Sequence, residues 1–478
     1  MFLFILANHF ITMAASKPSH FFSLLKSALS GSEKEFTSGS IDRAIFLLAV
    51  PMVLEMVMES LFAVVDAYFV GGLGKEALAA VGLTESVLTI VYSIAIGLSM
   101  AATALVSRRI GEKDSDGAAH SGVQAIYASV AVALVLGALG VIFSKQLLLL
   151  MGASPAFTES HYVYSQIVLG SNIVVVLLFL INGIFRGAGD ASVAMKSLWL
   201  ANGINILLCP TLIKGLGPFP ALGLEGAAWA TVIGRGSGVL YQLWHLVKGK
   251  GLFRIARRHL GFDVPVMGNL LKLASGGTAQ FLINSASWIF LVRIVSSFGE
   301  DAVAGYTIGI RVIVFTILPA WGLSNAAATL VGQNLGAQLP ERAERSVWRA
   351  AFLNMVFLGF ISVLFFAAAR PIVSIFSQEP AVVEYGVQCL RYISVGYVFY
   401  GYGMVIASSF NGAGDTRTPT ILNLLGFWAF QIPLAYVLAI LLGFGPQGAF
   451  WAVSISESCL ALAAIMIFRK GKWKTVKV

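Results

Sequence analysis

The chain has 478 residues, of which 58% are hydrophobic and 12% charged, with a mean hydropathy of +0.84. A soluble domain carries roughly a quarter charged residues, so the composition excludes a water-soluble enzyme. The net charge of +9 would suit nucleic acid, but the positive residues fall in alternate loops between apolar runs, which argues for a membrane protein and against a nucleic-acid partner.

Residues 1–40, rich in Ser and Lys, read as a mobile cytoplasmic extension. Their opening apolar run, Phe2 to Ala7, is too short for a secretory signal and no charge precedes it. Runs long enough to cross a ~30 Å hydrocarbon layer then follow over residues 41–69, 78–106, 117–143, 161–185, 191–213 and 222–247. A second six occupy 265–297, 302–331, 347–369, 384–410, 418–442 and 448–468. The predicted fold is an all-α polytopic membrane protein of twelve transmembrane helices. It has one lobe over 41–247, a basic linker over 248–264, a second lobe over 265–468 and a basic tail over 469–478. Counted by side, twenty-three Lys and Arg fall with the termini and four opposite, which places both termini in the cytoplasm by the positive-inside rule. Cys209, Cys389 and Cys459 lie in apolar spans without CxxC spacing and read as inert buried thiols. No metal or other cofactor is implied.

The twelve spans are two copies of six. Gly97 to Gly111 aligns with Gly322 to Gly336 at an offset of 225, with eight identities in fifteen, and the same offset brings Phe185-Arg-Gly-Ala-Gly-Asp190 onto Phe410-Asn-Gly-Ala-Gly-Asp415. Gly226-Ala-Ala-Trp-Ala230 matches Gly448-Ala-Phe-Trp-Ala452 at 222. An even number of spans per copy makes the halves parallel, with a pseudo-two-fold along the membrane normal, a plan used by secondary transporters. The Gly-Ala-Gly-Asp corners read as structural, with Asp190 and Asp415 as helix caps.

An ionisable residue at bilayer depth is costly unless it is paired, neutralised or hydrated. The first span carries Glu55, Glu59 and Asp66, within about 40° of arc at 100° per residue. Glu85 of the second span can face this stripe. Carboxylates sharing such an interior can exchange H+ or, with amide and hydroxyl oxygens, hold Na+; the sequence leaves both open. Pro51 frees the carbonyl of Leu47 and predicts a bend in the first helix. At offset 225 the acids map to Gln280, Asn284, Leu291 and Ile310, so the coupling ion is expected in the N-terminal lobe. Gln280, Asn284 and Tyr306, with Met56, are expected to line an uncharged cavity. Arg235 maps at 222 to Glu457, and the two are candidates for an ion pair, the alternative being that Arg235 serves Glu85.

Pro51 with Phe62-Ala-Val-Val-Asp66, Phe69-Val-Gly-Gly-Leu-Gly74, Ala101 to Gly111, Arg186-Gly-Ala-Gly-Asp190 and Asn205-Ile-Leu-Leu-Cys-Pro210 together resemble the multidrug and toxic compound extrusion (MATE) transporters over nearly the whole membrane region. The resemblance implies an exporter of amphipathic, often cationic compounds driven by inward H+ or Na+. It also implies cation binding at Asp66 and Asn205, as in prokaryotic members with a site in the first lobe. Here Cys209 stands where those members have a further acid, and the acids that another branch carries in the seventh and tenth helices are absent. The expectation is a monomeric antiporter of a prokaryotic cytoplasmic membrane, coupled through Asp66, Glu59, Glu55, Asn205 and Glu85. The rival within the same superfold is a flippase of lipid-linked intermediates.

Overall fold

The computed structural model describes residues 18–31, 35–249, 251 and 254–477, with side chains from residue 21 onward. Helix dominates, and no strand occurs among the described residues. After a short helix α1 (Pro18–Ser30), the first six spans are carried by α2 (Ile41–Gly71), α3 (Lys75–Gly111), α4 (Ser115–Ile142), α6 (Pro155–Gly170) with α7 (Asn172–Gly187), α8 (Ala191–Lys214) and α9 (Gly223–Lys248). A short helix of seven residues, α5 (Ser144–Leu150), follows α4. The second set is α10 (Val264–Ser296), α11 (Glu300–Gly336), α12 (Pro340–Ser374), α13 (Pro380–Ser394) with α14 (Tyr397–Ala413), α15 (Arg417–Leu441) and α16 (Pro446–Arg469).

Among the described residues ten helices are apolar and long enough to cross a membrane, and the pair α13–α14 makes an eleventh, bent by 58°. The remaining expected span, α9, has 26 residues. At 1.5 Å per residue this is long enough, but Glu225, Arg235 and His245 dilute its apolar character. Two spans depart from straight α-helix. The tenth is broken at Val395–Gly396, and the eleventh widens into π-helical stretches at Leu424–Gln431 and Val437–Leu441 around Pro433, whose missing N–H breaks the regular ladder.

The repeat is written into the backbone. Positive φ occurs at Gly74 and Gly299, at Lys113 and Gln338, and at Gly189 and Gly414, each pair 225 residues apart. The packing repeats too: a Cβ on Gly187 would strike the carbonyl of Thr103, and one on Gly412 that of Ala328. The Asp caps do not match as closely. Asp415 accepts from the backbone N–H of Thr418 (3.1 Å) and from its hydroxyl, whereas Asp190 accepts from the Ser192 hydroxyl (2.9 Å).

Domain boundaries differ from the lobes expected over 41–247 and 265–468. One compact unit joins the described chain up to Val53 to the segment from Ala279 onward, and the other is Leu54–Thr278. Two glycine contacts, one within each unit, accompany this division. Gly322 lets α11 approach the backbone of Met52 and Val53, while Gly97 lets α3 approach Ala274 and Thr278. The first stretch of α2 therefore packs with the C-terminal helices, and the first stretch of α10 with the N-terminal ones. Pro51 lies inside an unbroken α2, two residues before that change of unit.

The expected mobile extension is also corrected. Its first residues, and 32–34, lie outside the described residues, but 35–40 are held, since Arg342 donates to the carbonyls of Gly39 (2.9 Å), Ser38 (2.7 Å) and Phe36 (3.3 Å). Arg349 pairs with Asp42 at 2.6 Å, and Phe21 of α1 packs edge-on against Phe46. The linker is likewise tied to α4 within its own unit. Gln124 donates to the Gly261 carbonyl (2.6 Å) and accepts from the Asp263 N–H (3.0 Å), and Asp116 pairs with Arg258 (2.6 Å). Its residues 250, 252 and 253 lie outside the described residues, as does 478 in the tail.

Gly412→Val should cost about 1–3 kcal/mol by overpacking the α14–α11 crossing and lower the thermal unfolding midpoint in detergent. Gly82→Ala, where an added Cβ meets nothing within 4 Å, should leave that midpoint unchanged or raise it slightly.

Candidate functional site

The acidic stripe of α2 divides into three separate environments. Glu55 is fully buried at 1% exposure. It accepts from Asn182 Nδ2 (3.0 Å) and Arg186 Nη1 (3.3 Å), and Arg186 Nη2 donates to Ser99 Oγ (2.8 Å). Asn182 and Arg186 sit one turn apart on α7, so both reach the same carboxylate. A Cβ on Gly183 would meet Ser99, so glycine there is what allows α7 to press this pair against α3. The network continues outward: Asn182 Oδ1 accepts from Ser197 Oγ (3.3 Å) and from Gln242, and Gln242 Nε2 also donates to Ser197 Oγ (2.9 Å). Five helices are thereby joined through buried polar groups, and Glu55 is neutralised.

Glu59, one turn on, is neutralised by a different base. Arg235 Nη2 of α9 donates to Glu59 Oε1 at 2.9 Å. Arg235 itself is 2% exposed, and its guanidinium lies over the rings of Phe62 (4.6 Å to the centroid) and Tyr92 (5.9 Å), which helps offset the loss of hydration. This corrects the expected pairing of Arg235 with Glu457, because the base is engaged by the first helix of its own unit.

Asp66, two turns further, has no such base among the described residues. Its Oδ1 is buried with no hydrogen-bond partner. The charged groups close enough to act on it are Glu85 and the already paired Arg235; Tyr164 and Cys209 lie within range of its charge. Glu85 is exposed on α3. On α8, Asn205 donates to Thr231 Oγ1 (3.3 Å), while its Oδ1 is buried and unpartnered. Cys209, one turn beyond Asn205, is buried in an apolar cluster with Val70 and Tyr164. A carboxylate oxygen and an amide oxygen are thus left as acceptors with no donor among the described residues.

The residues expected to line a cavity are mostly packing ties. Gln280 exchanges hydrogen bonds with Asn411 (3.0 and 3.1 Å) and donates to the Thr416 carbonyl (3.1 Å), locking α10 to the corner before α15. Asn284 Oδ1 accepts from Trp288 Nε1 (2.8 Å). Tyr306 is buried and stacked on Phe450, and Met56 is buried. Sequence reasoning passed over Asn182, Arg186, Tyr164 and Thr231. The i, i+4 spacing of Asn182 and Arg186 in an apolar helix could have flagged the first two. Tyr164 and Thr231 become visible only through packing.

The MatE family model matches residues 51–211 and 278–437, one stretch in each copy of the repeat. The chain is 26% identical over 404 residues to the probable multidrug resistance protein YoeA of Bacillus subtilis, covering 84% of this chain and 87% of that one. It is 27% identical over 440 residues to the FAD transporter of Shewanella oneidensis, covering 91% and 95%. Among solved structures, a crystal structure of MATE in complex with MaL6 superposes with a TM-score of 0.86 at 26% identity, over 94% of this chain and 99% of that one.

Removing one member of a buried ion pair strands the other and costs about 3–5 kcal/mol. Glu59→Gln should therefore lower the unfolding midpoint clearly, and adding Arg235→Gln to it should recover most of the loss. A double variant no more stable than the single one would contradict the pairing.

Proposed function

Because the chain belongs to the multidrug and toxic compound extrusion (MATE) family, we propose that it is a secondary antiporter that exports amphipathic organic cations by alternating access, in exchange for inward H+ or Na+. The observation that carries this reading is the inequality within the acidic stripe. Glu55 and Glu59 each hold an arginine, while the Oδ1 of Asp66 is buried and unpartnered. An anion at membrane depth with no fixed countercharge is stabilised by a mobile cation. Asn205 Oδ1, likewise unpartnered, offers a second oxygen for Na+ or a hydrogen-bond acceptor for a protonated carboxyl.

Glu55 and Glu59 then position the helix rather than bind the coupling ion. Two buried ion pairs fix the face that α2 presents, and they leave Asp66 as the group whose charge changes through the cycle. Pro51 and the Val53–Leu54 change of unit give α2 a place to respond. This reading puts the protein in the cytoplasmic membrane of a prokaryote, with both termini in the cytoplasm, and it makes the cargo small organic molecules. The rival, a flippase of lipid-linked intermediates, would favour interior basic groups free to meet phosphate, and the central base Arg235 is held by Glu59.

In liposomes with proton and Na+ gradients imposed separately, the purified protein should move ethidium against its gradient in response to at least one of them. Asp66→Asn should abolish that response while the protein remains folded. Unimpaired driven transport by Asp66→Asn would overturn the assignment, and flipping of a fluorescent lipid-linked sugar in preference to ethidium would favour the rival.

A further inference from the structure

Glu457 belongs to neither ion pair nor to the Asp66 cluster. It lies near the middle of α16, eleven residues from Pro446 and twelve from Arg469. At 1.5 Å per residue it sits about 17 Å from either end, the midplane of a ~30 Å hydrocarbon layer. The exposed residues of this helix, Trp451, Ile455, Leu462 and Met466, lie on the far side from it at 100° per residue. On its own side, Gly396, just before α14, packs on Ser454, and Gly403 of α14 packs on Ala461. These two contacts share one register, which brings Phe399 of α14 level with Glu457 and Tyr400 one residue further along, and Tyr400 and Glu457 are within electrostatic reach of each other. The side chain therefore starts from the packed side of α16 and is half-buried there.

No hydrogen bond or ion pair reaches it among the described residues. The titratable or charged groups on the elements packed about it include Tyr397, Tyr400 and Tyr402 of α14, Glu384, Tyr385, Cys389, Arg391 and Tyr392 of α13, Arg417 and Tyr436 of α15, and Tyr306 and Arg311 of α11. Of these, Tyr397 shares a hydrogen bond with Thr316 (3.4 Å), and none bonds to Glu457. The repeat accounts for the missing partner. Arg235 corresponds to Glu457 at offset 222, and its partner Glu59 corresponds at 225 to Asn284, whose oxygen is taken by Trp288. Where the first copy holds a base and an acid, the second holds an acid and an amide.

We propose that Glu457 is a second cation site, in the C-terminal unit, that binds and releases one proton per transport cycle in addition to the cation at Asp66. A hard metal cation gathers several oxygens, whereas a proton needs one, and one carboxylate beside a phenol supplies no more. This rests on the antiport reading above, with H+ as the driving ion.

The test uses protein in liposomes with the membrane potential held at zero, and measures the ethidium gradient that balances an imposed pH step. Two protons per ethidium make that gradient about a hundredfold per pH unit, and one makes it about tenfold. Wild type and Glu457→Asp should give the steeper value and Glu457→Gln the shallower, with transport retained. An unchanged balance in Glu457→Gln overturns this site and leaves proton-driven export standing; no response of the wild type to the pH step overturns both. Labelling of the unsubstituted protein with a hydrophobic carbodiimide, which adds to protonated carboxyls, covers the case in which Glu457→Gln fails to fold. An adduct on Glu457 that fades as pH rises supports the site, and no adduct at any pH overturns it.

Discussion

A carboxylate taken out of water and into a membrane interior must meet a positive charge, be neutralised, or remain costly. That constraint organises the N-terminal six helices of this protein. Arg186 answers Glu55 and Arg235 answers Glu59, and each arginine comes from a different helix, so the two pairs draw α2 against both α7 and α9. Asp66, on the same face, is left with Glu85 nearby and no base of its own. The two arginine-paired acids and the acid without a base share one helix face, and the pairs tie that helix to its neighbours.

The surrounding packing serves that arrangement. Gly183 and Gly187 let α7 approach α3 closely enough for Arg186 to reach both Glu55 and Ser99. Gly97 and Gly322 fix the crossings at which α10 and α2 change unit. Duplication reproduced this scaffold at offset 225 but not its charges. In the second copy Gln280 and Asn284 tie helices together through neutral hydrogen bonds, and the acid of that copy stands at the position of the first copy's arginine.

Much of the fold was legible because it rests on patterns that survive without contacts. Apolar run length gave the spans, alternation of Lys and Arg checked their number, and one register across half the chain gave the repeat. Even the Gly-Ala-Gly-Asp corners ending at Asp190 and Asp415 were visible as an aligned pair. The site was legible only by residue type. Helical spacing placed Glu55, Glu59 and Asp66 on one face, but it could not say that two of them were already neutralised, since the bases come from helices more than a hundred residues away. Arg186 begins the Gly-Ala-Gly-Asp corner and carries no sequence mark of direction, although its side chain turns inward to Glu55. Arg235 was matched with its repeat counterpart Glu457 because sequence comparison aligns equivalent positions, whereas folding brings unlike positions together. The unit boundary inside α2 escaped because a continuous apolar helix carries no mark of a change of neighbour.

The most direct measurement is the infrared difference spectrum of the protein in lipid between low and high pH, recorded for wild type and for Asp66→Asn. If Asp66 is the acid of the first helix that exchanges its charge, a carboxylic C=O band and its matching carboxylate bands should be present in the wild-type difference and missing from that of Asp66→Asn. Identical difference spectra for the two proteins would mean that Asp66 keeps one charge state throughout, and the account would fail.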